Sequence, residues 1–410
     1  MKILQINSHY DQGGAARIVA DLHRQLLKQD IEAYVTYGRG QKTDEANVYK
    51  FGSAVGVYVS AFLSRFSGLN GYFNHKATRK LLRLIDNIKP DIIHIHVLHG
   101  YYLNVPMLFR YINKNKIPCV WTFHDCHAFV GNCGYFFDCR RWESGCGSCP
   151  YLKKYPASQW FDCTKKMWKD KSDWFTGGAD KVIVTPSKWL MQEVQKSFMN
   201  KYPCKIIPNG VDTQKNFYPR SRENCRHKHG YSDTEKLILG IAVGYRDERK
   251  GLNYILHTAK MLEKEAKVIL IGWNKENDSL LQGHSNVKTL ENTPDTELLA
   301  EYYSMADVFV IPSLAENYPT TVLEAMACGT PVVGFDVGGI AELLTDGKGI
   351  VVEAGNGEAF VEAVQRVLQE PDSVLRDAVL AEKIREKNSV EKMTDKYLEM
   401  YRELMCCQEI

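Results

Sequence analysis

The segment ADVFVIPSLAENYPTTVLEAMACGTPVV carries two glutamates, Glu316 and Glu324, at E-x7-E spacing. An apolar run ends at Pro312, a loop holds Glu316, and Thr320 to Ala327 reads as a helix. Pro319 falls where that helix would start, a position at which the missing N–H of proline costs nothing. The amides of Thr320, Thr321 and Val322 would then be free to donate to a diphosphate. Glu324, about one turn inside, could accept both hydroxyls of a ribose. Glu316 on the loop, with Asn317 and Tyr318 beside it, could meet the hydroxyls of a second sugar. The plainer alternative is a helix acid stabilised by the macrodipole and a solvated loop acid.

A second turn, AVGYRDERKGLNYIL, sets Arg246, Arg249 and Lys250 ahead of a helix. Guanidinium and ammonium groups there can neutralise a departing diphosphate, a form of transition-state electrostatics; a solvated basic loop is the competing reading. Near the amino terminus, SHYDQGGAARIV places Gly13 and Gly14 between a strand and a helix, where glycine admits close backbone approach to a phosphate. The spacing is not the G-x-G-x-x-G of a nicotinamide site. A further Gly pair, Gly338 and Gly339, repeats the pattern in the second half. WTFHDCHAF offers His124 at a strand end, suited either to bonding a ligand hydroxyl or to a structural role. No Asp-x-Asp element is present, so no catalytic divalent metal is expected.

The stretch HAFVGNCGYFFDCRRWESGCGSCPYL holds Cys133, Cys139, Cys146 and Cys149 at x5, x6 and x2 spacing, flanked by Cys126 and Cys163. Four thiolates including a C-x2-C pair suit a tetrahedral structural zinc, and a glycine-rich loop without a core would need such a staple. Reduced, packed cysteines are the other reading, and an iron–sulfur cluster has no distinctive spacing here.

These residues need strand ends to hold them. MKILQIN, EAYVTYG, DIIHIHV, PCVWTFH and KVIVTPS are short apolar runs separated by helical patterns, and the rhythm restarts at LILGIAVG, KVILIGW, VFVIPS and PVVGFD. Such runs imply parallel sheets covered on both faces, hence an α/β chain of two doubly wound domains. In such sheets ligands sit at the carboxyl ends of the strands. A length of 410 residues and 44% hydrophobic content allow two cores. The boundary is placed at 208/209, near IPNGVD, ahead of the charged and helix-poor run SRENCRHKHGYSDTEK. Residues 1–208 form the first domain, with the Cys-rich insert at 126–163. Residues 209–388 form the second, and 389–410 a last helix with Met393, Tyr397, Met400, Tyr401 and Leu404 on one side.

The 52 basic and 49 acidic residues nearly cancel, to a net charge of +3, so nucleic acid is not an expected partner. No apolar run reaches the roughly 18 residues of a membrane-spanning helix, and the start passes directly into a strand, so a cytoplasmic location is expected.

Together, the E-x7-E element, Lys250 with its following glycine, IPNGVD at Ile207 to Asp212, and VGGIAELL resemble glycosyltransferase family 4. The likeness runs from the first strand to the last helix. It implies a retaining enzyme of the GT-B fold: two Rossmann-like domains facing a central cleft, with a C-terminal helix packing back across them. By the same resemblance, the second domain binds a UDP- or GDP-linked sugar and the first holds the acceptor. Glu316 contacts the donor sugar, Glu324 the ribose, and Lys250 with an arginine the diphosphate. His124 lies near the donor sugar. The family arginine after the strand-ending glycine is Tyr245 here, leaving Arg246 or Arg249 for that role. The departing phosphate helps to deprotonate the acceptor, so no protein nucleophile is implied.

On the acceptor side, the Cys-rich insert resembles one in polysaccharide-assembling relatives, and HVLHGYYLNVP resembles a segment of capsular and exopolysaccharide glycosyltransferases. A glycan or lipid-linked oligosaccharide acceptor follows from that likeness. The run SAVGVYVSAFLSRFSGLNGYFNHKATRK, with Arg65, Lys76, Arg79 and Lys80, suits either peripheral contact with an anionic membrane, at the inner face of the plasma membrane, or a helix covering the core. The competing functions are a sugar-nucleotide epimerase and a non-catalytic nucleotide-sugar-binding protein on the same fold.

Overall fold

The computed structural model describes residues 1–410 apart from 12, 242–246, 275–278, 347–348, 371–377 and 407–410. The chain divides into two compact units: Met1–Pro208 with Met393–Ile410, and Asn209–Lys392.

The first unit holds β1 (Lys2–Asn7), β2 (Glu32–Tyr37), β3 (Val48–Lys50), β4 (Ile92–Ile95), β5 (Cys119–Thr122), β6 (Lys181–Thr185) and β7 (Cys204–Ile206). They pair in parallel in the order β3-β2-β1-β4-β5-β6-β7. The second unit holds β8 (Leu237–Ile241), β9 (Lys267–Ile271), β10 (Val287–Leu290), β11 (Val308–Ile311), β12 (Val332–Phe335) and β13 (Ile350–Val352), in the order β10-β9-β8-β11-β12-β13. Every residue of β4, β5, β6, β11 and β12 is buried, because helices cover both faces. The strand order reverses between β1 and β4 in one sheet and between β8 and β11 in the other. Diverging crossovers at those points open crevices at the carboxyl ends of the strands.

Aromatic packing fills the first core, where Phe109, Trp121 and Phe175 meet with ring centroids 4.5 to 5.3 Å apart. The helix Val390–Cys406 belongs to this unit from Met393 onward, and the five residues that helical spacing places on one side are all buried. Tyr401 and Tyr397 reach the sheet through polar contacts. The Tyr401 hydroxyl lies 2.6 Å from His94 Nδ1, and Tyr397 and His94 both bond the Thr122 hydroxyl at 2.8 Å. His94 is therefore a satisfied structural group.

One expectation fails in the second unit. The charged run taken as helix-poor contains the helix Arg222–Lys228, capped by Ser221, whose hydroxyl accepts from Asn224 N. Arg226 on it is fully buried, paired with Asp307 at 2.8 Å and donating to the carbonyls of Met305, Ser232, Asp233 and Glu235. A charged residue reads as surface in sequence, yet it is tolerated inside when each N–H finds an acceptor.

Candidate active site

The carboxyl ends of β8 and β11 lie at the switch point of the second sheet, and the turns that follow them meet at Glu316. After β11 the chain turns through Pro312 and brings Glu316 inward to 7% exposure. After β8, a short 3-10 turn, Glu248–Lys250, presents two cations. Glu316 Oε1 accepts from Lys250 Nζ and, at 3.0 Å, from the Arg249 guanidinium. Arg249 also donates to the Ala315 carbonyl at 2.7 Å, and its own carbonyl accepts from Leu314 N at 2.7 Å. Burial is the largest influence on Glu316 and would raise its pKa, but Lys250 and Arg249 outweigh it and hold the carboxyl below its usual range.

Two glycines make this close approach attainable. Gly251 turns with φ +72°, and a Cβ on it would stand 1.8 Å from the Pro312 carbonyl oxygen. Gly338, at φ +56°, would place a Cβ 1.7 Å from the Glu316 carbonyl oxygen, while Gly339 N donates to the Asn317 carbonyl at 2.7 Å. The pair Gly338–Gly339 thus packs against the backbone of the Glu316 loop.

The helix Thr320–Ala327 begins after Pro319, which offers no side-chain cap. Thr320 and Thr321 are half-buried in its first turn, where the amides and the dipole favour an anion; the Val322 amide, expected to be free, donates to the Pro319 carbonyl at 3.3 Å. Glu324 is buried, and its Oε2 accepts from the Tyr303 hydroxyl at 3.0 Å. Tyr318 is tied within the second unit: its carbonyl accepts from Asn209 Nδ2 at 2.8 Å, and its hydroxyl accepts from Asn388 Nδ2 at 3.2 Å. Asn317 is buried beside it. Arg246, with Gly244 and Tyr245, lies outside the described residues.

The switch point of the first sheet gathers a second set of groups. Gly13 has φ +92° and precedes the exposed start of the helix Gly14–Lys28, again without a side-chain cap. His124 follows β5, and its Nε2 lies 3.0 Å from His96 Nδ1, with His96 Nε2 3.1 Å from Gln5 Oε1. Burial dominates His124 and lowers its pKa to about 4, so the ring is neutral at pH 7. Next to it, the Asp125 carboxylate meets His99 Nε2 at 2.7 Å and accepts from His127 N at 2.9 Å. Sequence reasoning missed Asp125, His99 and His96 as a set; the adjacent HD of WTFHDCHAF was the signal available. His127 instead turns toward Asn70, 3.3 Å from its side-chain amide.

Two Rossmann-like units define the GT-B class of glycosyltransferase, and solved structures superpose on the whole chain. Sucrose-phosphate synthase from Thermosynechococcus elongatus matches with a TM-score of 0.75 at 18% identity, over 99% of each chain. HepE of Anabaena, solved in complex with UDP-glucose, matches with a TM-score of 0.67 at 15% identity, over 98% of this chain and all of its own. In sequence, the profile described as Glycosyltransferase Family 4 matches residues 12–215, and that described as Glycosyl transferases group 1 matches 236–370. The chain belongs to glycosyltransferase family 4. WcaC of Escherichia coli strain K12, assigned as a glycosyl transferase of colanic acid biosynthesis, is 27% identical over 98% of this chain and its own full length. TuaC of Bacillus subtilis strain 168, assigned to teichuronic acid biosynthesis, is 26% identical over 46% of this chain and 47% of its own.

Proposed function

We propose that this glycosyltransferase is a retaining hexosyltransferase. It moves a sugar from a UDP- or GDP-linked donor to a glycan or lipid-linked oligosaccharide acceptor in bacterial surface polysaccharide synthesis. The observation that carries the reading is the buried Glu316 carboxylate clasped by Lys250 and Arg249 beside an uncapped helix start. A donor diphosphate docked on the first turn at Thr320 and Thr321 would share the two cations with Glu316, leaving the carboxylate free to accept from donor-sugar hydroxyls. Glu324 would then anchor the ribose. The bond from the anomeric carbon to the diphosphate breaks while the acceptor oxygen bonds to the same face of that carbon. The acceptor proton passes to the departing phosphate oxygen, and Lys250 and Arg249 stabilise the charge that develops there. His124, as a neutral imidazole, would bond a sugar hydroxyl. No divalent metal enters this scheme.

The acceptor class is supported by the first unit. Its helix Ala54–Ser67 exposes Val55, Tyr58, Val59, Phe62 and Phe66, and Phe66 meets exposed Trp160 edge-on at 5.2 Å. That helix carries no acidic residue and bears Arg65 in its last turn, while Lys76, Arg79 and Lys80 follow along the chain. An exposed apolar aromatic face with basic residues close by in sequence suits peripheral docking on an anionic membrane, where a lipid-linked acceptor would be presented. Among the described residues no helix is long and apolar enough to cross a membrane.

The test is a panel of UDP- and GDP-sugars scored for thermal stabilisation, slow donor hydrolysis, and the anomeric configuration of the product by NMR. A stabilising donor that is hydrolysed and transferred with retained configuration is expected. An inverted product would overturn retention. Release of an altered free sugar without an acceptor would mark an epimerase, and binding without turnover a sensor.

A further inference from the structure

The Cys-rich insert, 126–163, contains among its described residues a single turn of regular structure, the 3-10 helix Arg141–Glu143. Trp142, Phe129 and Phe136 pack one side of it into the first core. The remainder is irregular backbone, and four successive residues, Gly145, Cys146, Gly147 and Ser148, all have positive φ. Left-handed conformations at two non-glycine positions cost energy that something else must offset. A stretch of this length without elements of its own needs an internal tie.

Four cysteines converge there. Cys133, Cys139, Cys146 and Cys149 all line one cavity of about 20 Å³, roughly the room for a single ion or water. Each of the four lies within electrostatic reach of the other three. Backbone amides already point at two of the sulfurs: Gly131 N donates to Cys146 Sγ at 3.2 Å, and Tyr151 N donates to Cys149. Buried Lys171 donates to the carbonyls of His127 and Val130, at 2.7 and 3.0 Å, and its amino group, whose pKa burial lowers to about 7, lies near Cys133 and Cys146. Backbone amides and the Lys171 amine thus supply hydrogen-bond donors around the sulfurs, of the kind that metal-bound thiolates accept.

We propose that Cys133, Cys139, Cys146 and Cys149 are the ligands of one structural zinc ion that ties this insert together. Binding releases the four thiol protons to solvent and leaves a complex of net charge 2−, since four thiolates meet one Zn²⁺; Lys171 and the amide donors offset part of that charge. Tetrahedral ligation at about 2.3 Å per Zn–S bond brings the sulfurs to about 3.8 Å from one another. As they stand, no three His, Cys, Asp or Glu groups among the described residues meet in an arrangement that could hold an ion. Loading therefore requires the sulfurs to close on the cavity. Rotation about χ1 of the cysteine side chains supplies such movement without a change of fold. A cavity of one-ion size favours zinc over an iron–sulfur cluster.

The proposal is independent of the transferase reading and is tested without turnover. The full chain, purified under reducing conditions without chelators, is analysed for metals, with about one zinc per chain and no stoichiometric iron expected. Exchange with Co²⁺ should give the absorption of a tetrahedral thiolate site. Cys146→Ser and Cys149→Ser should lose zinc on dialysis and lower Tm, while Cys204→Ser, on strand β7 outside the insert, should change neither. Should the cluster variants not fold, a thiol reagent added to the wild-type chain should release zinc in step with modification of the four thiols. Folded wild-type protein without zinc, stoichiometric iron, or zinc release uncoupled from those thiols would each overturn the site.

Discussion

Gly251 approaches Pro312 so closely that a Cβ on the glycine would lie 1.8 Å from the proline carbonyl oxygen. This contact, between the turn after β8 and the end of β11, sets Lys250 against Glu316. The residue after Lys250 is thus glycine for two reasons, its positive φ and the absence of room.

Gly251→Ala should therefore act on the site and on the fold together. The left-handed conformation alone costs about 1 kcal/mol or more, and the collision pushes the 249–251 turn away from the Glu316 loop. Tm should fall by several degrees, and thermal stabilisation by the donor nucleotide should disappear. An unchanged nucleotide response would contradict this account.

Glu316→Gln keeps the shape of the side chain and removes the charge that Lys250 and Arg249 bind. Removal of one preorganised charged contact typically lowers kcat by about 10²–10³, and a loss of that order is expected, with nucleotide affinity largely kept. The measurement is single-turnover transfer alongside calorimetric titration of the nucleotide. Wild-type turnover would remove Glu316 from the site.

Glu324 is held by Tyr303, and sequence spacing gave no sign of this partner. Tyr303→Phe deletes one hydrogen bond to a buried carboxylate, worth about 1.5–3 kcal/mol for a charged acceptor. If Glu324 anchors the ribose, nucleotide affinity should weaken by roughly ten-fold, and Glu324→Ala should weaken it further. Calorimetry showing equal affinity in both variants would assign Glu324 a purely structural role.

The buried histidines make the first unit sensitive to acid. His124 stays neutral down to about pH 4 because burial disfavours its charged form, against an ordinary value of 6.5; burial shifts His94, His96 and His127 in the same direction. Between pH 6.5 and 4 the unfolded chain binds more protons than the folded one, so stability drops as pH falls through that window. His124→Gln should make the decline of Tm with acidification shallower. A slope identical to wild type would show that His124 titrates normally.

The exposed aromatic face gives a last expectation. Wild-type protein should sediment with anionic vesicles and much less with neutral ones, because basic residues at a charged surface, such as Arg65 on the helix, add about 1 kcal/mol each. The double variant Phe62→Ser and Trp160→Ser should remain in the supernatant with its fold intact. Equal sedimentation of the two proteins would assign that face to another partner.

The sequence alone determined the architecture and the scaffold of the candidate site. Continuous apolar runs such as VFVI and VILI, short and flanked by turn residues, read as strands buried on both faces, and the helices between them favour parallel pairing. The strand–loop–helix around Glu316 and Glu324 is local, so spacing along the chain revealed it. Tertiary structure decided what spacing cannot express. The four strands absent from the sequence reading, β3, β7, β10 and β13, are the four sheet edges, short segments paired on one side only. Lys250 and Glu316 lie 66 residues apart, Tyr303 and Glu324 21 apart, and His94 and Tyr401 307 apart. His99 and Asp125 become partners only because β4 and β5 are neighbours in the sheet. A contact between distant residues depends on which strands the fold places side by side, and that order is a property of the packed sheet rather than of any one segment.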